Sequence, residues 1–227
     1  MNKAGLPSMG AYREQIVNTI VPVRPLPRPS RRVWMLVPLG LLLAATAPLL
    51  NGSRGDLDPY SPLLTWGITA VQSLIGLWLL ALGFREAVPG RNVSKRALAL
   101  ASVLTVSLVV AITLLTNAVS ATVVPAGREW PYWIECVIWP AVLGAPFMLV
   151  ATLMVVRAFP TRPAIAGALC GLSAGVLSDA GWRLSCWISD PAHIIESHGL
   201  AMLSLAAAGS ILAVVADAPR WRRLRRG

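Results

Sequence analysis

The side chains with the most chemistry to offer are two thiols and two imidazoles. Cys136 and Cys186 lie far apart in the chain, and His193 and His198, its only histidines, follow Cys186 closely with Asp190 and Glu196 nearby. Thiolates and imidazoles together suit a soft metal ion. The spacing matches no compact zinc motif, so two polar loop histidines facing water is the competing reading. The thiols could also pair with each other, provided their Cα atoms come within about 7 Å. The third cysteine, Cys170, reads as a small packed hydrophobe. Asp179 and Arg183 are four residues apart, in the favourable order for an ion pair along one helix. Inside an apolar segment such a pair is costly and points to function or internal pairing. The alternative is self-neutralisation near an interface, with Arg183 reaching outward.

The elements that must position these residues are apolar helices. The chain has 227 residues, of which 56% are hydrophobic and only 13% charged, with a mean hydropathy of +0.64. Soluble domains carry about 25% charged residues. The balance excludes a soluble enzyme and a disordered regulator, and three cysteines are too few for a disulfide scaffold. A helix needs about 20 apolar residues to cross a bilayer, because its backbone polar groups must be satisfied internally. Six runs qualify: Val33–Leu50, Ser61–Phe84, Ala97–Thr116, Cys136–Val156, Pro163–Trp187 and Gly199–Ala216. The expected fold is all-α, a polytopic membrane bundle of six transmembrane helices. It divides into a tail over 1–32 with a short amphipathic helix, a membrane domain over 33–216, and a basic tail over 217–227. The first run lies behind 32 Pro- and Arg-rich residues, so it reads as an anchor and not a cleaved signal peptide.

Orientation follows from charge. Seventeen of the 20 Lys and Arg fall before the first run, after the second and fourth, or after the last. The positive-inside rule then puts both termini in the cytoplasm. The same rule accounts for the net charge of +10 without nucleic acid, and no direct nucleic-acid binding is expected. Nine tryptophans fall near the expected interfaces, as an aromatic belt requires. The outer level holds Cys136 and Cys186 together.

Two further patterns stand out. Tyr12–Val21 carries Ile16, Val17 and Ile20 at helical spacing beside Arg13. It reads as an amphipathic helix that lies on lipid or docks a cytoplasmic protein. The Pro-rich stretch that follows, with Arg24, should be extended. Gly167, Gly171 and Gly175 repeat every four residues, which aligns them on one helix face as a close packing seam.

Taken together, the chain resembles the NrsF family, six-pass inner-membrane negative regulators of sigma-F-type ECF sigma factors. The resemblance rests on Pro22-Val23-Arg24-Pro25-Leu26-Pro27, Val88-Pro89-Gly90-Arg91, Cys136, and Arg162-Pro163 before the glycine run. It continues through Cys186, Ser189-Asp190-Pro191, His193 and His198-Gly199. The segment before Tyr12 is longer than the family leads one to expect. The resemblance implies an anti-sigma factor, not an enzyme. It would hold an ECF sigma factor at a bacterial inner membrane and release it on heavy-metal or oxidative stress. Cys136 and Cys186 would be the sensing pair; His193 and His198 remain candidate additional metal ligands from their residue types and position alone. Arg13, Ile16, Val17, Ile20 and Arg24 would contact the partner. No resident cofactor is required, and a heavy-metal ion would be the signal. Two other readings compete. One is a small transporter using Asp179 and Arg183, which would want polar residues across several spans. The other is a quinone-linked thiol–disulfide membrane enzyme, which would want a second cysteine pair.

The orientation has a direct test. A periplasm-dependent phosphatase should stay inactive when fused at either terminus and become active when fused after Arg54. Activity at a terminus contradicts the charge argument.

Overall fold

The computed structural model describes residues 9–19, 26–54, 62–119 and 129–224. All regular structure among them is helical: α1 (Met9–Thr19), α2 (Pro29–Asn51), α3 (Pro62–Glu86), α4 (Lys95–Val119), α5 (Glu129–Val156) and α6 (Pro163–Ser185). A single turn α7 (Pro191–His193), a π turn (Ile194–His198) and α8 (Gly199–Leu224) complete the chain. Six helices are long and apolar enough to cross a membrane. They correspond to the six expected runs, with shifted ends. The largest shift is at the sixth, which begins at Pro191 instead of Gly199. The local sequence explains it. Asp190 caps the first turn by accepting from the His193 amide at 2.9 Å, and Pro191 follows at the first helical position. A capping carboxylate followed by proline is a helix start.

Helix α6 is the centre of the bundle. Of its membrane window 78% is buried, against 28–50% for the other five. It packs on α2, α3, α5 and α8. Helix α4 stands at the margin, touching chiefly α3 and the turns that open the sixth span. No substantial packing involves α1 among the described residues.

Glycine is why so many helices can crowd α6. On the α8 side, Gly167, Gly171 and Gly175 meet Gly209, Leu205 and Met202. A Cβ on Gly171 would lie 2.7 Å from the Leu205 carbonyl carbon and 2.9 Å from the Ala206 Cα, inside van der Waals contact with backbone. On another face, Gly181 abuts the backbone of Ala44 in α2. Such closeness lets dispersion and backbone contacts hold helices together where lipid removes the hydrophobic drive.

Contacts between helix ends define two ends of the bundle. At one, Arg32 of α2 reaches the Met154 carbonyl of α5, and Arg162 before α6 grips Glu86 of α3. At the other, the Arg54 amide donates to the Leu184 carbonyl at 2.9 Å, and Cys136 meets Cys186.

Gly171→Ala should cost about 1–3 kcal/mol, the usual range for overpacking a tight interior. Gly67→Ala, where a Cβ meets nothing within 4 Å, should be neutral or better. Thermal unfolding in detergent micelles distinguishes them, and equal midpoints would contradict the seam.

Candidate functional site

At the second end of the bundle, Cys136 from the second turn of the described part of α5 faces Cys186, which caps α6. Their sulfurs are 3.5 Å apart and unbonded. His193 brings Nε2 to 3.7 Å from the Cys186 sulfur. One ligand atom each from Cys136, Cys186, His193 and His198 lies within 4.8 Å of all the others. All four side chains are buried, at 6%, 6%, 6% and 3% exposure respectively. This corrects the expectation of water-facing loop histidines. They belong to the helical start of the sixth span and point inward.

The π turn makes the convergence possible. Residues five apart on an α-helix point about 140° away from one another at 3.6 residues per turn. A π turn bonds i to i+5 and so stacks such residues. His193 and His198 therefore share a face, their ring centroids 5.7 Å apart. Around the cluster stand Ala47, Trp182 and Ile188, with Tyr132 and Leu143 against them. Trp182 is thus a packed wall of the site, stacked near Trp139 at 6.4 Å.

Further polar contacts lie behind the histidines. His198 Nδ1 pairs with Asp179 Oδ1 at 2.5 Å. Gln72 Nε2 of α3 donates to Asp179 Oδ2 at 2.6 Å and to the Val176 carbonyl at 3.3 Å. The expected direct Asp179–Arg183 pair is replaced. Asp179 is engaged by His198 and Gln72, while Arg183 donates to Thr69 Oγ1 at 2.7 Å and the Thr65 carbonyl at 3.4 Å. The reason is position. The carboxylate faces the start of the sixth span, which supplies a closer donor than the next turn of its own helix.

Arg54 is also buried here, donating to Ser189 Oγ at 2.7 Å and the Trp187 carbonyl at 3.3 Å. It pins the stretch between Cys186 and Asp190. Cys170 lies elsewhere, fully buried in the main core beside Gly83.

The opposite end of α6 carries its own polar clamp. Arg162 grips both Glu86 oxygens, at 2.5 and 2.6 Å, and donates to the Val93 carbonyl at 2.9 Å. The Val93 amide donates to Glu86 Oε2 at 2.6 Å. The Glu86 hydrogen bonds hold the Arg162 guanidinium above its usual pKa, against the opposing pull of burial. Between Glu86 and Val93, Val88-Pro89-Gly90-Arg91 forms a tight turn closed by an Arg91 amide to Val88 carbonyl bond of 3.0 Å. Gly90 has φ +80°, which the third position of a type II turn demands.

Of the expected partner contacts, Arg13 and Val17 are exposed on α1, Val17 at 60%. Ile16 belongs to α1, but its side chain, like all of Ile20 and Arg24, lies outside the described residues.

A family model described as negative regulator of sigma F, NrsF, matches residues 16–218. The chain belongs to the NrsF family. The match spans all six candidate membrane helices and both polar ends of α6. No curated protein and no solved structure matches the chain. This NrsF member is therefore a negative regulator of a sigma factor by family, and a multi-pass membrane protein by its six apolar helices.

Gln72, Arg54 and the Glu86–Arg162 clamp were not singled out in the sequence. Gln72 had a signal, as an amide in the middle of an otherwise apolar run. Arg162 was named only as part of a family motif, and its pairing with Glu86 had no signal, the two being 76 residues apart.

Two outcomes follow. A mild thiol oxidant should join Cys136 to Cys186, each thiol losing a proton and the oxidant taking up two electrons. Cys170 should react with an alkylating reagent only after denaturation. Peptide mapping reads both, and a Cys170 disulfide would contradict the arrangement. Glu86→Gln should speed hydrogen exchange at the Val93 amide, and an unchanged rate would remove the clamp's role in ordering that loop.

Proposed function

We propose that this NrsF member is a membrane-bound anti-sigma factor that holds an ECF sigma factor at a bacterial inner membrane. Release occurs when heavy metal or oxidant reaches Cys136 and Cys186. Family membership supplies the sigma factor. The basic residues supply the direction, since the positive-inside rule puts the Glu86–Arg162 end in the cytoplasm and the thiol end in the periplasm. An oxidising compartment is where a reactive thiol pair can report stress.

The observation that carries the reading is that one helix joins the two ends. Cys186 caps α6, and Arg162 immediately precedes it. A change in how Cys136 and Cys186 sit must alter the seating of α6 between α5 and α8. That helix then bears on the loop 87–94 through Arg162 and Glu86. The sigma factor would meet this cytoplasmic face through Arg13, Ile16, Val17, Ile20 and Arg24 of the tail. Apolar residues anchor such contacts, while the basic ones complement an acidic surface. Allosteric release further requires two packings of the bundle with different affinity for the sigma factor.

The test is co-purification of the full chain with its sigma factor from membranes, with and without cadmium or dichromate. The sigma factor should accompany the wild type, leave on stress, and stay with the Cys136→Ser/Cys186→Ser variant. If it never accompanies the wild type, sequestration is wrong. If it leaves the variant equally well, the thiols are not the sensor.

A further inference from the structure

The cluster at the thiol end is organised more closely than a pair of oxidisable thiols requires. In a tetrahedral site with Zn–S of about 2.3 Å and Zn–N of about 2.0–2.1 Å, neighbouring ligand atoms lie about 3.3–3.8 Å apart. The two sulfurs are 3.5 Å apart, and Cys186 Sγ is 3.7 Å from His193 Nε2. The fourth ligand, His198, has its Nδ1 taken by Asp179, which leaves Nε2 for the cluster. That Nε2 is buried without a hydrogen-bond partner among the described residues. A buried imidazole nitrogen with no partner is costly, unless something binds it.

We propose that Cys136, Cys186, His193 and His198 form a tetrahedral site for one thiophilic divalent cation of the Zn²⁺ and Cd²⁺ class, with Asp179 as the positioning residue of His198. Two thiolates and two imidazoles match the donor set such ions prefer. The carboxylate behind the imidazole fixes the tautomer and the ring plane and raises ligand basicity. Gln72 in turn holds the second Asp179 oxygen, at 2.6 Å, so α3 orients the ligand although it contributes none. Gln72 and Asp179 tie four elements to one ion: α5 through Cys136, the end of α6 through Cys186, the start of the sixth span through its histidines, and α3. On this assignment the site binds metal as a chelate and needs no disulfide to change state. Its biological use rests on the sensing role proposed above, but the binding itself does not.

The experiment uses the purified, reduced full chain in detergent micelles with Co²⁺ as a spectroscopic probe, then Cd²⁺ as competitor. The wild type should bind one equivalent, with the intense visible bands of tetrahedral Co²⁺ and sulfur-to-cobalt charge transfer, and Cd²⁺ should displace it. Cys186→Ser should lose much of the charge transfer. Asp179→Asn should keep the bands and the stoichiometry but bind about 10–100-fold more weakly, the usual loss for such an outer partner. Thermal unfolding of the metal-free variants separates this from a folding defect. A variant that is folded at the assay temperature yet binds as tightly as wild type would remove the positioning role. Octahedral cobalt, absent charge transfer or substoichiometric binding would overturn the site itself. If no cation binds but oxidation of the thiols still releases the sigma factor, this inference fails and the sensing role stands. If the cation binds and the sigma factor ignores it, the reverse holds.

Discussion

Everything in this bundle depends on how closely other backbones approach α6. A membrane helix gains little from apolar burial against its neighbours, because lipid is as apolar as leucine. What holds α6 is contact at backbone range, along Gly167, Gly171 and Gly175 toward α8 and at Gly181 toward α2. The same closeness makes α6 the most enclosed span. An enclosed helix can carry polar groups away from lipid, and α6 does so with Ser173, Ser178, Asp179 and Arg183.

Those polar groups then need partners, since water is not there to serve. Ser173 donates to the Gly76 carbonyl at 2.7 Å, Asp179 is held by Gln72 and His198, and Arg183 reaches Thr69 and Thr65. Four of these five partners, all but His198, come from α3. The packing seam and the polar network therefore use different faces of one helix: glycines toward α8, hydrogen bonds toward α3. The thiol and imidazole cluster sits where the two meet, above the last turns of α6. For a negative regulator of a sigma factor, this places the most reactive side chains at one end of the best-connected element and an ion-pair clamp at the other.

The chemistry of the cluster also depends on small backbone devices. The Asp190 cap and Pro191 start the sixth span early, and the π turn brings His193 and His198 to one side. Without that turn, one of the two imidazoles would face away from the sulfurs. Arg54 secures the intervening strand of chain from above through Trp187 and Ser189. Four side chains drawn from a span of 63 residues, Cys136 to His198, are thereby brought together without a compact motif.

The sequence by itself determined the class of fold, the six spans and the glycine seam. These follow from composition and from a period of four along one helix, both of which are local. It also carried the family, through short motifs in order, and the four cluster residues as chemical types. It could not determine that the four meet, because the relevant distances run between helices. Nor could it fix the partner of Asp179. Local spacing favours Arg183, but His198 is supplied by another helix, and helix–helix packing decides which donor is nearer. The early helical start at Asp190-Pro191 was missed, although a capping carboxylate before proline is a local signal. The Glu86–Arg162 clamp belonged to the tertiary structure alone, since only the closed bundle brings the end of α3 to the start of α6.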